Sequence, residues 1–319
     1  MSIYDPVLEI RGCYTAEEAP RQLRYDVIIV GGGPAGLSAA TILGRARRRV
    51  VLFDDGKYRN EASRGVHGFL TRDGIHPAEL RRIAREQLAR YDVEYLCDHV
   101  TAVQRKEDHF VAILADDSRY ESRKLLLATG VVDELPAVAG AERFYGAGVF
   151  HCPYCDGWEV RDQPLAAYGR SCAGLAASLK TWSAHVALCT DGPASLKAEE
   201  AAQLEQLGVA VYRQKIARLE GGEHLEQIVF EDGTVLPCRG LFFNTGQTQR
   251  SPLPADLGCN FNRKGTVRTG KLEGTNVPGV YVVGDASKDV QLAIVAAAEG
   301  AKAAIAINTA LQVEEPPSA

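Results

Sequence analysis

A glycine-rich turn near the start of the chain most constrains its fold. The run Asp26–Val30 is apolar after its first residue and is typical of a buried parallel strand. It leads into Gly31-Gly32-Gly33-Pro34-Ala35-Gly36, and residues 37–43 follow helical spacing. Glycines in a G-x-G-x-x-G pattern allow a tight turn, close approach to a pyrophosphate, and close packing of helix on strand. The pattern predicts a strand–turn–helix unit that binds a dinucleotide; a turn without a ligand is the alternative.

Acidic residues follow two of the predicted strands. The apolar run Val50–Phe53 ends at Asp54 and Asp55, and Asp54 is placed to accept a hydrogen bond from a ribose hydroxyl. Ala128-Thr129-Gly130 and the pair Gly284-Asp285 indicate FAD rather than a nicotinamide cofactor at this site. Asp285 is placed to bind the ribityl chain, to cap a helix, or to do both.

Two cysteines one helical turn apart occupy the middle of the chain, in Cys152-Pro153-Tyr154-Cys155-Asp156-Gly157. Such a pair can close a disulfide or open to a dithiol, and a flavin exchanges the same two electrons. A structural zinc site needs about four ligands, and only His151 lies nearby, so no metal is predicted. Asp156 is the predicted general acid/base, with helix capping as its alternative role. His151 shares the acid/base role or is a surface histidine.

A second strand–turn–helix–strand pattern follows about 140 residues after the first, with strands over 165–168 and 185–189 and a helix over 175–182. We therefore predict an α/β fold of two Rossmann-like, three-layer ββα nucleotide-binding domains, the second inserted in the first. The predicted limits are 1–24 for an N-terminal extension, 25–138 with 246–319 for the FAD-binding domain, and 139–245 for the inserted domain that carries the thiol pair. Other predicted elements are helices over 77–90 and 291–311 and strands over 110–114, 124–129 and 280–283.

Composition narrows the class of partner. The chain has 319 residues and a net charge of -5, which argues against nucleic acid or an anionic membrane as the main partner. The sequence has no run of about 18 apolar residues, so no membrane helix is predicted. Residues 1–24 lack the features of a signal peptide. We expect a cytoplasmic location. Six isolated cysteines are interpreted as small buried hydrophobes in a reducing compartment, namely Cys13, Cys97, Cys172, Cys189, Cys238 and Cys259.

Residues 25–315 resemble the low-molecular-weight thioredoxin reductases and their relatives. The shared segments are Gly31–Gly36, Ala128–Gly130, Cys152–Asp156 and Thr275–Ala286. The resemblance implies a class-II pyridine nucleotide–disulfide oxidoreductase fold, tightly bound FAD and a homodimer. It also implies that Cys155 faces the flavin, that Cys152 exchanges sulfur with the substrate, and that Asp156 is the acid/base. The cofactor-binding residues that it implies are Gly31, Gly33, Pro34, Ala35, Gly36, Asp54, Asp55, Asn60, His67, Val100, Ala128, Thr129, Gly130, Gly284, Asp285, Gln291, Leu292 and Ala293.

The second glycine-rich turn departs from the reductase pattern. It reads Gly169-Arg170-Ser171-Cys172-Ala173-Gly174, with Ser171 in place of the middle glycine. The next strand ends at Asp191, where the reductases have basic residues that grip a 2′-phosphate. Asp191 would repel that phosphate, so NADPH binding is disfavoured. NADH is less disfavoured, because Asp191 is able to hold a ribose hydroxyl.

A subgroup of the family lacks the NADPH signature and carries Cys-Pro-aromatic-Cys. It contains the dithiol oxidases of the gliotoxin and holomycin type, and residues 58–60 and 67–74 are also similar to it. These enzymes close an intramolecular disulfide in a small molecule and pass the electrons through FAD to O2, so we predict a dithiol oxidase. The subgroup often has histidine where this chain has Asp156.

Several alternatives stay open at this point. Tyr154 and Trp158 are placed to line a pocket for a small apolar substrate, although Trp158 is equally suited to core packing. The alternative functions are an NAD(P)H-dependent disulfide reductase, a reductase fed by a ferredoxin-type carrier, and a flavin redox sensor without turnover.

Overall fold

The computed structural model describes residues 24–288 and 290–315. Cys13 and all but the last residue of the predicted N-terminal extension lie outside those residues. The described chain divides into two compact units. The first comprises residues 24–61, 68–132 and 248–315, and the second comprises residues 62–67 and 133–247. The domain limits given in the sequence analysis differ from the limits of these two units and stay a prediction.

Strands and helices alternate at the start of each unit, and runs of consecutive strands follow, over residues 93–133 and 210–249. The strands are β1 (Arg24–Val30), β2 (Val50–Phe53), β3 (Val93–Leu96), β4 (Val100–Arg105), β5 (Phe110–Leu114), β6 (Arg119–Leu127), β7 (Val131–Asp133), β8 (Val149–Phe150), β9 (Leu165–Tyr168), β10 (Val186–Cys189), β11 (Ala210–Tyr212), β12 (Ile216–Gly221), β13 (Leu225–Phe230), β14 (Val235–Pro237), β15 (Gly240–Phe243), β16 (Gln247–Gln249) and β17 (Val280–Val282). The helices are α1 (Pro34–Arg45), α2 (Pro77–Leu88), α3 (Ala141–Phe144), α4 (Pro153–Asp156), α5 (Ala173–Leu179), α6 (Ala198–Gln206), α7 (Leu253–Asp256) and α8 (Ala293–Glu314).

The first unit is built on a parallel sheet in the order β3-β2-β1-β6, with β17 also paired to β6. Strands β5 and β4 continue the sheet in antiparallel sense beyond β6. All four residues of β2 are buried, as expected for a strand covered on both faces. Val30 pairs with Phe53 and with Leu127, so β1, β2 and β6 end together. The segments that follow these strands therefore start at one edge of the sheet.

Helix α8 packs on α1 in the core of the first unit. A Cβ at Gly300 would lie 2.0 Å from the carbonyl oxygen of Ala35, so the two helices approach through a glycine. Helix α8 has 22 residues and is apolar enough, by length and composition alone, to cross a membrane. Its residues Ala303, Ile307 and Leu311 are fully buried against the first unit's core, which is the packing of a core helix. The sequence prediction had found no candidate span.

The second unit contains a five-stranded parallel sheet in the order β11-β10-β9-β15-β8. An antiparallel meander, β12-β13-β14, accompanies it, and the short strands β7 and β16 pair with each other. Separate apolar clusters form around this unit's elements, one containing Phe144 and Phe230 and the other containing Leu188 and Phe242.

Two predictions need correction. The helix predicted over 175–182 begins two residues earlier and ends at Leu179, because the next amides bond to carbonyls three residues back, as Lys180 N does to Ala177 O. Cys97 is exposed and disulfide-bonded rather than a small buried thiol. Three of the other predicted core cysteines, Cys189, Cys238 and Cys259, are free and buried, and Cys172 is free and half-buried.

Candidate active site

The glycine-rich turn between β1 and α1 is closed on one side and open on the other. Gly31 has φ +113°, and a Cβ there would lie 2.3 Å from the carbonyl oxygen of Ala128, so a side chain does not fit. A Cβ at Gly36 would lie 1.9 Å from the carbonyl oxygen of Gly31. A Cβ at Gly33, in contrast, would meet no atom within 4 Å, and Pro34 opens the helix. The open side gives a phosphate access to the N-terminal amides of α1.

Asp54, directly after β2, is held by several donors. It is only 4% exposed, and its carboxylate accepts hydrogen bonds from the hydroxyls of Tyr58 and Tyr95 and from the backbone of Gly56 at 3.1 Å. A Cβ at Gly32 would collide with this carboxylate. Burial and the bond to Asp54 raise the pKa of Tyr58 to about 12, so its hydroxyl stays a donor. The carboxylate proposed to bind a ribose is thus fixed in place before any ligand arrives.

Sequence reasoning missed the shell around Asp54. The guanidinium of Arg81 lies 3.5 Å from the centroid of the Tyr58 ring and donates to Asn60 Oδ1 at 3.3 Å. Tyr95 is paired with Leu52 across β3 and β2, which brings its hydroxyl to the end of β2. No local pattern in the sequence marks Tyr95, because its contact with Asp54 depends on the pairing of β3 with β2. Of the predicted residues near this shell, Asp55 contacts His99 at 3.3 Å and Val100 is buried at the start of β4.

Two buried oxygens of the first unit have no hydrogen-bond partner in the part of the chain that the structure describes. One is Thr129 Oγ1, directly after Ala128 at the end of β6, and the other is Gln249 Oε1. Gln249 uses its amide group to donate to the carbonyls of Gly265 and Ala286 at 2.9 and 3.0 Å. Gly130 has φ +68°, and a Cβ there would meet nothing within 4 Å. Buried polar atoms are normally paired, so this arrangement fits a polar cofactor.

An arginine that the sequence analysis did not select holds Asp285. Arg59 Nη1 donates to Asp285 Oδ2 at 2.8 Å and to Gln291 Oε1 at 2.6 Å. The backbone N–H of Gly284 donates to Glu299 Oε2 at 2.8 Å, and burial raises the pKa of Glu299 to about 7. The segment predicted to hold the ribityl chain is therefore fixed by side chains from two distant parts of the sequence.

The remaining predicted cofactor-binding residues divide between the two units. Leu292 is the N-cap of α8 and Ala293 is its first residue. His67 belongs to the second unit, where its Nε2 lies 3.4 Å from Glu159 Oε1. The structure thus places His67 against Glu159, a residue four positions after Cys155.

Cys152 and Cys155 form a disulfide with their Cα atoms 5.3 Å apart. Cys152 is the N-cap of α4, whose single turn is set by Pro153 and by bonds from the amides of Cys155 and Asp156 to the Cys152 carbonyl, at 3.1 and 3.2 Å. Burial, followed by the nearby charge of Glu159, raises the pKa of Asp156 to about 7. A carboxyl with that pKa can accept or donate a proton near neutral pH.

Aromatic side chains stand on the surface around the disulfide. Tyr154 is 80% exposed and Trp158 is 65% exposed. Tyr154 contacts Trp182 edge-on at 5.3 Å, and the guanidinium of Arg161 lies 4.0 Å from the Trp158 ring centroid. Core packing, the alternative role for Trp158, is wrong. Within the second unit both side chains are available to a ligand.

The second glycine-rich turn has a different geometry from the first. Ser171 is exposed, and the following helix α5 has only seven residues. Asp191 Oδ1 accepts a hydrogen bond from the backbone N–H of Ile216 at 2.8 Å, and Oδ2 accepts one from the Tyr168 hydroxyl at 3.0 Å. Both oxygens of this carboxylate are therefore used within the unit. Across residues 24–288 and 290–315, no cluster of three or more His, Cys, Asp or Glu is arranged to hold a metal ion.

Comparison with known proteins identifies the family. Residues 25–300 match the family described as pyridine nucleotide-disulphide oxidoreductase. The chain belongs to this family. A probable thioredoxin reductase of Arthroderma benhamiae is 33% identical to it over 91% of this chain and 81% of that protein. Thioredoxin reductase aclD of Aspergillus oryzae is 30% identical over 91% and 98%. The crystal structure of HlmI superposes with a TM-score of 0.87 at 33% identity, covering 95% of each chain.

Membership of the pyridine nucleotide-disulphide oxidoreductase family confirms the predicted fold class and the resemblance to thioredoxin reductases. The chain is a thioredoxin reductase-like disulfide oxidoreductase, and its cofactor is FAD. The first unit fits that cofactor, with an open turn at Gly33, a fixed acceptor at Asp54 and a Thr129 hydroxyl that has no partner among the described residues.

Proposed function

We propose that this family member is an FAD-dependent dithiol oxidase, which closes an intramolecular disulfide in a small-molecule dithiol and uses O2 as the electron acceptor. The observation that carries the proposal is the state of Asp191, whose two carboxylate oxygens are bonded to Tyr168 and Ile216. In a reductase the corresponding strand end must receive the nucleotide's ribose or 2′-phosphate. The two bonds hold the Asp191 carboxylate in place at this strand end, where its negative charge repels the 2′-phosphate of NADPH.

The sulfur chemistry is assigned to the second unit. A substrate thiol loses its proton to Asp156 or His151 and attacks Cys152 Sγ, which breaks the Cys152–Cys155 bond and leaves the electron pair on Cys155. The second substrate thiol then attacks the substrate sulfur of this mixed disulfide, and Cys152 leaves as a thiolate. The substrate is now a disulfide, and the protein holds a dithiol with two additional electrons.

FAD held by the first unit would supply the two-electron acceptor needed to restore the Cys152–Cys155 disulfide, with O2 as the final acceptor and peroxide as the product. The first unit's part is to hold this cofactor through Asp54, Thr129 and Asp285. Asp156, with a pKa of about 7, returns or removes the proton at the thiol pair as it opens and closes. The exposed rings of Tyr154 and Trp158 offer apolar contact to a small substrate.

An NAD(P)H-dependent disulfide reductase is the second candidate, because curated relatives such as aclD are named thioredoxin reductases. The two functions differ in where the electrons originate. In the oxidase the dithiol reduces the flavin, and in the reductase the nicotinamide does.

The test uses the purified flavoprotein in two arms. Mixed aerobically with small dithiols such as dithiothreitol, the protein should consume O2 and release peroxide without added nucleotide, and Cys152→Ser and Cys155→Ser should abolish that release. Mixed anaerobically with NADPH or NADH, its flavin should stay oxidised. Rapid bleaching by either nucleotide would instead establish the reductase, and peroxide release unaffected by both cysteine variants would point to a flavin site that works without the thiol pair.

We propose further that the protein acts as a cytoplasmic homodimer, in keeping with the resemblance. Sedimentation analysis of the FAD-loaded protein should give about twice the 34.5 kDa chain mass.

A further inference from the structure

His151 lies immediately before the redox-active pair, and its ring is held by packing. It follows β8 and precedes Cys152, and its side chain is 29% exposed. The ring centroid lies 6.4 Å from that of Tyr145 and 6.5 Å from that of Phe243. Phe243 ends the buried strand β15, so one wall of this contact belongs to the rigid sheet. The histidine thus has a defined position rather than the freedom of a surface side chain.

A polar pair lies behind the ring. Asp133, at the end of β7, has a side chain only 6% exposed, and its Oδ2 accepts a hydrogen bond from the Tyr145 hydroxyl at 2.7 Å. His151 Nδ1 lies 3.5 Å from the same hydroxyl oxygen and 3.9 Å from Asp133 Oδ2. A buried carboxylate requires donors, and here a tyrosine and a histidine converge on it.

The direction of these bonds favours one histidine tautomer. The Tyr145 hydroxyl donates to Asp133, so its oxygen meets His151 Nδ1 as an acceptor. This contact favours the neutral ring with its hydrogen on Nδ1 and its lone pair on Nε2. An imidazole in this state can accept a proton through Nε2, and the Asp133 charge favours the imidazolium that forms.

We propose that His151 is the base that takes the proton from the attacking substrate thiol, and that Asp133 and Tyr145 are positioning residues that fix its tautomer. This inference rests on the proposed thiol–disulfide exchange at Cys152. The thiol proton moves to His151 Nε2, the substrate sulfur bonds to Cys152 Sγ, and the Cys152–Cys155 bond breaks with its electron pair on Cys155. The substrate sulfur is oxidised and the protein disulfide is reduced. Asp156 is then left to serve the thiol pair itself.

Within residues 24–288 and 290–315, Asp133 from β7 and Tyr145 from the end of α3 are titratable groups seen against the His151 ring, and Phe243 from β15 adds apolar contact. Removing the Asp133 charge destabilises the imidazolium, so the acid limb of the pH profile for thiol attack should move to lower pH while the maximal rate falls. Tyr145→Phe keeps the ring packing but removes the link between the carboxylate and Nδ1.

The experiment measures anaerobic flavin bleaching of the FAD-loaded protein by dithiols across pH. With dithiothreitol, His151→Gln should slow bleaching about 100-fold or more, and Asp133→Asn and Tyr145→Phe about tenfold, with Asp133→Glu restoring part of the rate. With a dithiol acidic enough to be ionised at the assay pH, these defects should largely disappear, because no base is needed. Tyr212→Phe, which alters a stacked ring of the same unit, is the matched control and should be unchanged.

Equal slowing with both dithiols, or no slowing, overturns the assignment. If Asp133→Asn fails to retain FAD, Tyr145→Phe and His151→Gln decide the outcome by the same comparison. The oxidase proposal is tested separately by mixing the reduced protein with O2. Slow reoxidation would exclude O2 as the acceptor but would not affect the His151 assignment. Fast reoxidation would support the oxidase, and if the variants were then slowed equally with both dithiols, only the His151 assignment would be lost.

Discussion

The Tyr168 hydroxyl donates a hydrogen bond to Oδ2 of Asp191 at 3.0 Å, which joins the end of β9 to the residue pair that follows β10. The other carboxylate oxygen accepts from Ile216 N at 2.8 Å. Burial and the bond to Asp191 raise the pKa of Tyr168 to about 12, so the hydroxyl remains a donor at every working pH. The acidic residue that follows β10 is thus part of this unit's internal structure.

Replacing that carboxylate should lower the stability of the protein and should not weaken any response to NADH. In Asp191→Ala the donors of Tyr168 and Ile216 lose their acceptor, so we expect the free energy of unfolding to fall by about 1–3 kcal/mol. Urea unfolding followed by the fluorescence of the second unit measures this loss. The control is Asp92→Ala at an exposed position, where the free energy of unfolding should change by less than about 0.5 kcal/mol. If NADH bleached the flavin of the parent protein but not that of Asp191→Ala, Asp191 would be a nucleotide-binding residue, and its purely structural role would be contradicted.

The pH dependence of turnover should carry the signature of Asp156. Its pKa is raised to about 7 by burial and then by Glu159, so the ionised base accumulates, and the rate rises, as pH increases through about 7. Because Asp156 serves the thiol pair after His151 has acted on the substrate thiol, Asp156→Asn should remove this limb from the pH profile of kcat and lower kcat by about 100-fold or more. Glu159→Gln removes the neighbouring negative charge, eases ionisation of Asp156, and should shift the limb to lower pH. A midpoint unmoved in Glu159→Gln would show that burial alone sets it.

The same shift predicts the direction of a stability change. The pKa of Asp156 in the folded protein lies above the unfolded value of about 4, so the folded state holds this proton more tightly. Its stabilising contribution is complete below about pH 4 and is lost as pH rises through about 7. Unfolding free energies of the parent protein and Asp156→Asn, measured from pH 5 to pH 8, should therefore diverge as pH rises, with the parent losing more.

The parts of the site that depend on local pattern could be predicted from sequence. Gly31 and Gly36 act within one turn, and Cys152 and Cys155 within another, so their spacing alone indicated their geometry. Tyr95 could not be selected, because its contact with Asp54 depends on β3 lying beside β2.

Long-range ion pairs were missed for a similar reason. Arg59 reaches Asp285 across 226 positions of sequence, and no periodicity connects the two. Asp133 and His151 meet only because Tyr145, after a short helix, lies between them. Trp158 illustrates the converse limit, since hydrophobic character alone did not distinguish a core residue from one that is 65% exposed.

The unpaired hydroxyl of Thr129 predicts opposite effects on the apoprotein and on cofactor binding. Thr129→Val replaces a buried oxygen that lacks a partner among the described residues with a methyl group of similar shape. Apoprotein stability should be unchanged or higher, while FAD affinity should fall roughly 3- to 10-fold because one hydrogen bond is lost. Titration of apoprotein with FAD and thermal unfolding without it measure the two effects. Thr101→Val on β4 is the control, and equal FAD affinity in Thr129→Val would place the hydroxyl outside the cofactor site.

Two glycines of the same turn should respond differently to alanine. Gly33 has φ -76° and space for a Cβ, so Gly33→Ala should leave apoprotein stability unchanged or slightly higher. The new methyl group would occupy the open side of the turn, so FAD affinity should fall at least tenfold. Gly31→Ala forces a Cβ against Ala128 at φ +113° and should destabilise the apoprotein itself by more than about 1 kcal/mol. Unfolding and FAD titration of both variants separate the effect on stability from the effect on cofactor binding. If the turn binds FAD through its open side, Gly33→Ala should be stable but should bind FAD poorly.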